Sequence, residues 1–241
     1  MKGVRWIRVG RWPVVVVELS TMEARLAGAA AWSRLLSPRE MDVYDRLLTS
    51  RRRREWLGGR VAAKLVLRRR CRQMGQPPPP PARLPILAAE GANGRGPLVS
   101  PVGGGVSISH SHSFAVAVAG RGNTGIDIER LRSFGNDARS LFLAGDEIAR
   151  LAAAERDDAA LPTLVWAFKE AFCKARGLGL FEGMPGPEWL GRSVGGRLSW
   201  RWPPGSAADA GERRWDASGL ILDGYALAVV GDLSEGAGDC S

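Results

Sequence analysis

The sequence predicts an α+β chain in which one order of elements, strand and helices then strands, runs twice. Three observations carry this reading. Short apolar runs with the period of strands alternate with longer stretches whose apolar residues recur with the period of helices. Proline and glycine clusters at 77–81, 91–97 and 120–123 punctuate the chain between them. The length of 241 residues exceeds the roughly 150 of a common single domain and suits two fused halves, residues 1–120 and 121–241. A ligand would most naturally bind in a cleft between such halves.

Taken in order, residues 12–19 are β-branched and apolar around Pro13 and read as an opening strand. Residues 21–36 have a helical pattern. Ser37-Pro38-Arg39-Glu40 is a helix start, with Ser37 as cap, Pro38 in the first helical position and Glu40 three residues after the cap. A helix from about Arg52 to Arg72 ends at the polyproline run, because proline lacks the backbone donor a helix needs. Strands follow at 105–109 and 114–119. Gly120-Arg121-Gly122-Asn123 reads as a hairpin turn into a further strand, 124–129. Helices are expected at about 146–154 and 164–176, then strands at 197–202, 213–216 and 225–230.

Composition excludes several classes. Hydrophobic residues at 45% and charged residues at 24% rule out a disordered or fibrous chain. No uninterrupted apolar run approaches the roughly 20 residues of a membrane-spanning helix, and the N-terminus has no secretory apolar region, so a cytoplasmic protein is expected. Three scattered cysteines, Cys71, Cys173 and Cys240, suggest neither a disulfide framework nor a zinc site. The net charge of +9 points to acidic partners, and only four of the 34 basic residues are lysine: Lys2, Lys64, Lys169 and Lys174.

Gly120-Arg121-Gly122-Asn123-Thr124-Gly125 fits G-x-G-x-x-G, but Ile126-Asp127-Ile128-Glu129 then alternates as a strand where a dinucleotide fingerprint needs a helix. The same alternation places Asp127 and Glu129 on one face, with alpha carbons about 6.6 Å apart. Two such carboxylates either hold one hard divalent cation or form the solvated face of an amphipathic strand. In the helix 164–176, Phe168, Phe172 and Ala175 form an apolar stripe, while Trp166, Glu170 and Lys174 recur at i, i+4 and i+8 beside it. Glu170 and Lys174 make a surface ion pair or something more, and the neighbouring tryptophan argues for more.

Val106-Ser107-Ile108-Ser109-His110-Ser111-His112-Ser113 holds both histidines of the chain among serines that offer donors to an anion. It lacks the three ligands a zinc site needs. His112 reads as an ordinary loop residue and His110 as the functional one. On the basic helix, Leu57, Val61 and Leu65 face the core, while Arg53, Arg60 and Lys64 share another face. That face is a phosphate-binding stripe, a nucleic-acid contact or a solvated surface.

In combination these segments resemble the 4'-phosphopantetheinyl transferase superfamily, in its larger single-chain, surfactin-synthetase-activating type rather than its small trimeric carrier-protein synthases. The resemblance rests on GRGPLV (94–99), SISHSHS (107–113), TGIDIE (124–129) and WAFKEAFCKARGLGL (166–180), preceded by SPRE and RRREWLGGRVAAK. The chain departs from the family pattern in three places: Ser107 stands where an Asn is common, His112 where a small residue is usual, and Arg95-Gly96 where the lysine of a Gly-Lys-Pro stretch would be.

The resemblance implies a pseudo-dimer of two similar α/β halves with the active site at their interface, coenzyme A as co-substrate and Mg²⁺ as cofactor. It implies that Asp127, Glu129 and Glu170 hold the metal, and that Glu170 or the metal assists deprotonation of a carrier-protein serine. Lys174 would stabilise phosphate charge, with Lys169 assisting. Arg53, Arg60, Lys64, Arg95, Ser109, His110 and Lys174 would bind coenzyme A. The implied partner is an acidic acyl or peptidyl carrier protein rather than nucleic acid or a membrane. A monomer is expected, since two fused halves already build one site. The competing reading, a basic non-catalytic module for nucleic acid or an acidic protein, accounts for the charge but not for the three carboxylates.

Overall fold

The structure is a computed structural model that describes residues 2–21, 29–88, 98–99, 104–120, 122–179, 182, 184, 186–192, 197–202 and 215–232. The chain forms two compact units, one of Met1–Arg8 with Trp12–Gly120 and one of Val9–Arg11 with Arg121–Ser241.

The first unit is built on a six-stranded sheet. Strands β1 (Val4–Val9), β2 (Trp12–Glu18), β3 (Leu87–Ala88), β4 (Leu98–Val99), β5 (Val106–Ser111) and β6 (Phe114–Ala119) lie in the order β1-β2-β6-β5-β4-β3. Helices α1 (Ala29–Leu35) and α2 (Pro38–Asp45) lead into the long α3 (Ser50–Gln73), which packs across β2, β5 and β6. Ser37 and Glu40 form the reciprocal cap the sequence announces, the Ser37 hydroxyl accepting from Glu40 N and the Glu40 carboxylate accepting from Ser37 N. Gly58 and Gly59 let α3 sit low on the sheet, because a Cβ at Gly59 would stand 2.7 Å from Ile108 Cγ2. The core beneath holds Val15, Val17, Val61, Val66, Leu67 and Ala117.

The second unit contains β7 (Thr124–Arg130), the helices α4 (Asn136–Ser140), α5 (Glu147–Ala154) and α6 (Leu161–Arg176), the ribbon β8 (Glu188–Arg192) and β9 (Leu198–Arg201), and the hairpin β10 (Trp215–Leu222) and β11 (Tyr225–Asp232). Its three-stranded sheet has the order β10-β11-β7, with α6 across all three strands. Phe168, Phe172, Trp215, Ala226 and Ala228 form the core between them.

Each unit carries the same connectivity. In the first, strand β2 and helix α3 precede the hairpin β5–β6, whose second strand lies antiparallel beside β2. In the second, β7 and α6 precede the hairpin β10–β11, whose second strand lies antiparallel beside β7. Residues 120–123 are not the hairpin turn expected from their glycines, since β6 and β7 belong to different sheets. The strand expected at 213–216 runs instead as Trp215–Leu222. Strands β1 and β8 were not legible because basic residues or a glycine interrupt their apolar positions. Of the helix expected at 21–36, the described part includes α1, and residues 22–28 lie outside the described residues. Among the described residues no helix is long and apolar enough to cross a membrane.

Candidate active site

In the second unit, β7 and α6 bring three carboxylates together. Ile126 and Ile128 are fully buried, as alternation requires, and Asp127 is only 2% exposed, so its face of the strand is not a solvated one. Glu170 on α6 joins Asp127 and Glu129, and one ligand oxygen from each residue lies within 4.8 Å of the others. Gly125 makes this approach possible. A Cβ there would overlap the carbonyl oxygen of Ala171 and stand 2.7 Å from the backbone nitrogen of Ala175, so strand and helix touch backbone to backbone one residue away from Glu170. Gly125 is therefore a packing glycine within β7, the strand the sequence places at 124–129.

Lys174, one helical turn beyond Glu170, donates to Asp127 Oδ1 at 2.6 Å and to the carbonyl of Ile126 at 3.3 Å, with its side chain about a third exposed. Burial and the Asp127 charge push Glu170 up to about 8, against the opposing pull of Lys174. Burial and Asp127 raise Glu129 in the same direction, opposed by Arg132, Trp166 and Lys174. Burial alone would lower Lys174, but Asp127, Glu170 and Glu129 outweigh it and hold the ammonium above its ordinary value.

The donor set fits a hard divalent cation. Fully ionised, the three carboxylates carry three negative charges against the single positive charge of Lys174, an excess that one divalent ion neutralises. All the ligand atoms are carboxylate oxygens, the preference of Mg²⁺ rather than of a softer metal. Burial is the larger cause of the upward displacement of Glu170 and Glu129, and the repulsion by Asp127 that adds to it is what such an ion would relieve.

Lys169 does not take the assisting role expected of it. It is fully buried and donates to Glu147 Oε2 at 2.9 Å, while Glu147 also accepts from the backbone of Ala144 and, at 2.6 Å, of Trp189. This buried pair ties α6 to the start of α5 and to β8. Trp166 packs nearby, its ring tilted against Phe134 and edge-on to Phe142.

The other basic residues expected to bind phosphate lie in the first unit and divide by environment. Lys64 does not meet the expectation. It is 1% exposed, and its ammonium donates to Glu40 Oε2 at 2.7 Å and to the carbonyls of Pro81 and Leu84, each at 2.9 Å, which uses its three donors. Arg60 is also withdrawn, 4.4 Å over the Trp56 ring with Nε 3.7 Å from Glu40 Oε1, and burial lowers it to about 10. Arg53 is exposed but donates to the carbonyls of Leu47 and Asp45. Ser109 lies buried in β5 beside His110. Arg95 lies outside the described residues.

The residue sequence reasoning passed over is Arg52, whose Nη1 lies 3.1 Å from His110 Nε2, with Glu55 Oε2 3.9 Å from that guanidinium and 3.8 Å from His110 Nδ1. The signal was present in Gly58-Gly59. The close face of α3 passes through Gly59, which meets Ile108, and one to two turns earlier the same face carries Glu55 and Arg52 against His110, two residues further along β5.

No curated protein matches the chain. Residues 123–230, the stretch that carries all three carboxylates and Lys174, match the family model described as the 4'-phosphopantetheinyl transferase superfamily, and this part of the chain is similar to that superfamily.

Proposed function

We propose that the chain transfers the 4'-phosphopantetheine moiety of coenzyme A to a serine of an apo acyl or peptidyl carrier protein and releases adenosine 3',5'-bisphosphate. The observation that carries this reading is the convergence of Asp127, Glu129 and Glu170 beside Lys174, inside the stretch that matches the transferase superfamily.

In this reading Asp127, Glu129 and Glu170 hold Mg²⁺, which when bound supplies charge neutralisation for the diphosphate. The serine hydroxyl attacks the phosphorus on the pantetheine side. A new P–O bond forms to serine, the P–O bond to the adenosine bisphosphate breaks, and the serine proton passes to the Glu170 carboxylate. Lys174, held between Asp127 and the Ile126 carbonyl, offers its fixed positive charge to the phosphate oxygens as charge develops on them. Arg52 and His110, with Arg53, Ser109 and Arg95, serve the phosphates and nucleotide of coenzyme A. The two units act as halves of a pseudo-dimer that share one site, and the protein works as a cytoplasmic monomer.

The deciding experiment is intact-mass measurement of apo carrier proteins incubated with coenzyme A, Mg²⁺ and the chain. A gain of one phosphopantetheine that Asp127→Ala abolishes supports the reading. No gain on fatty-acid, polyketide or nonribosomal-peptide carriers sinks it.

A further inference from the structure

Glu55 is a buried carboxylate that the transfer chemistry above does not use. Its side chain is 8% exposed although it directly follows the run Arg51-Arg52-Arg53-Arg54 at the start of α3. One oxygen accepts from Arg51 Nε at 2.8 Å. The other stands 3.9 Å from Arg52 Nη1 and 3.8 Å from His110 Nδ1, so one acid faces three cationic or donor groups drawn from α3 and β5.

The donor inventory fixes how these groups work together. Guanidinium is donor-only, so the 3.1 Å contact between Arg52 Nη1 and His110 Nε2 makes Nε2 the acceptor. The imidazole proton then sits on Nδ1, on the side of Glu55. His110 thus accepts from Arg52 at Nε2, and its Nδ1 stands 3.8 Å from the Glu55 carboxylate. Arg52 is pinned by His110 and drawn toward Glu55, yet its side chain remains 55% exposed. A flexible surface arginine has become an oriented one, which lowers the entropy cost of each hydrogen bond it makes to an oxyanion.

We infer that Glu55 is the positioning residue of an anion site whose phosphate-binding group is Arg52, with His110 acting through Arg52 as an orienting acceptor. This rests on the proposed use of coenzyme A, whose 3'-phosphate and diphosphate are anions of the required class. Removing the Glu55 charge would leave Arg51, Arg52 and His110 without the acid that gathers them, while the carboxylates of the second unit keep their own composition.

The test uses the full chain and 3',5'-adenosine bisphosphate as probe, followed by titration calorimetry and by the imidazole NMR signals, with His112→Gln assigning the two histidines. Glu55→Gln is expected to weaken the probe about tenfold and to raise KM for coenzyme A by a similar factor. Its kcat at saturation should stay within about twofold of wild type, and Glu55→Asp should restore part of the affinity. If Glu55→Gln does not fold, Arg52→Gln serves as the second variant, with the same loss of probe affinity expected. Probe affinity unchanged in either variant, with transfer intact, overturns the inference alone. Loss of kcat without loss of affinity also overturns it. A wild-type chain that neither binds the probe nor modifies a carrier overturns the functional reading and this inference together.

Discussion

Gly125 and Ala171 meet backbone to backbone: at Gly125 a Cβ would overlap the Ala171 carbonyl oxygen. This contact sets how closely β7 approaches α6, and therefore whether Glu170 reaches Asp127 and Glu129. Gly125→Ala forces the two elements apart, with backbone atoms on the far side that cannot rotate away. The expected cost is at the upper end of the ~1–3 kcal/mol typical of overpacking. Mg²⁺ affinity should fall at least about tenfold, because the loss of one well-placed carboxylate ligand is worth more than ~1.4 kcal/mol. Denaturant unfolding and calorimetric Mg²⁺ titration of the same sample check both parts.

The three-carboxylate cluster makes stability depend on pH in a defined direction. Glu170 has a folded pKa of about 8 against an ordinary value of 4.5, so the folded state holds this proton more tightly than the unfolded chain does. The resulting stability is complete below about pH 4.5 and is lost as pH rises to about 8. Glu129 shifts in the same sense, while the raised Lys174 acts only at higher pH, where it titrates. The metal-free protein should therefore melt at lower temperature at pH 8.5 than at pH 5.5. Added Mg²⁺ should raise the melting temperature more at pH 8.5, since protons compete for its ligands. Glu170→Gln should flatten the metal-free profile. A profile that rises between these pH values would contradict the assignment.

What sequence made legible follows from how local each feature is. The cap at Ser37 and Glu40 is chemistry between residues three apart, and it is present as read. The alternation at Ile126–Glu129 gave the strand and the shared origin of two carboxylates, but not that Asp127 would be buried, which depends on α6 lying over β7. Helical periodicity placed Arg60 and Lys64 on one face without showing what covers that face, namely Glu40 and the carbonyls of the proline-rich loop. A phase difference of one residue separated Arg53, chosen from sequence, from Arg52, which meets His110. Lys169 and Glu170 adjoin in sequence, but a helix turns them about 100° apart, one to Glu147 and the other to the carboxylates.

The environment of Lys64 separates stability from binding. Lys64→Met leaves the Glu40 carboxylate buried without its ammonium, a loss of ~3–5 kcal/mol for a broken buried pair. KM for coenzyme A, measured at a temperature where the variant is fully folded, should change less than twofold. A large rise in KM with little loss of stability would return Lys64 to the phosphate-binding set.

Lys169 and Glu147 admit a sharper test, because each is fully buried and their charges cancel locally. Lys169→Met alone should destabilise by ~3–5 kcal/mol, since Glu147 keeps its charge and only its backbone partners Ala144 and Trp189. Glu147→Gln alone should cost a similar amount by stranding the ammonium. The double variant removes both charges, although the single amide oxygen can accept from only one of Ala144 and Trp189, so it should recover part of the loss. Urea unfolding of the four proteins gives the coupling energy directly. If Lys169 instead contributed its charge to phosphoryl transfer, the double variant would regain stability and remain inactive on an apo carrier protein; activity that returns with stability identifies the pair as scaffold.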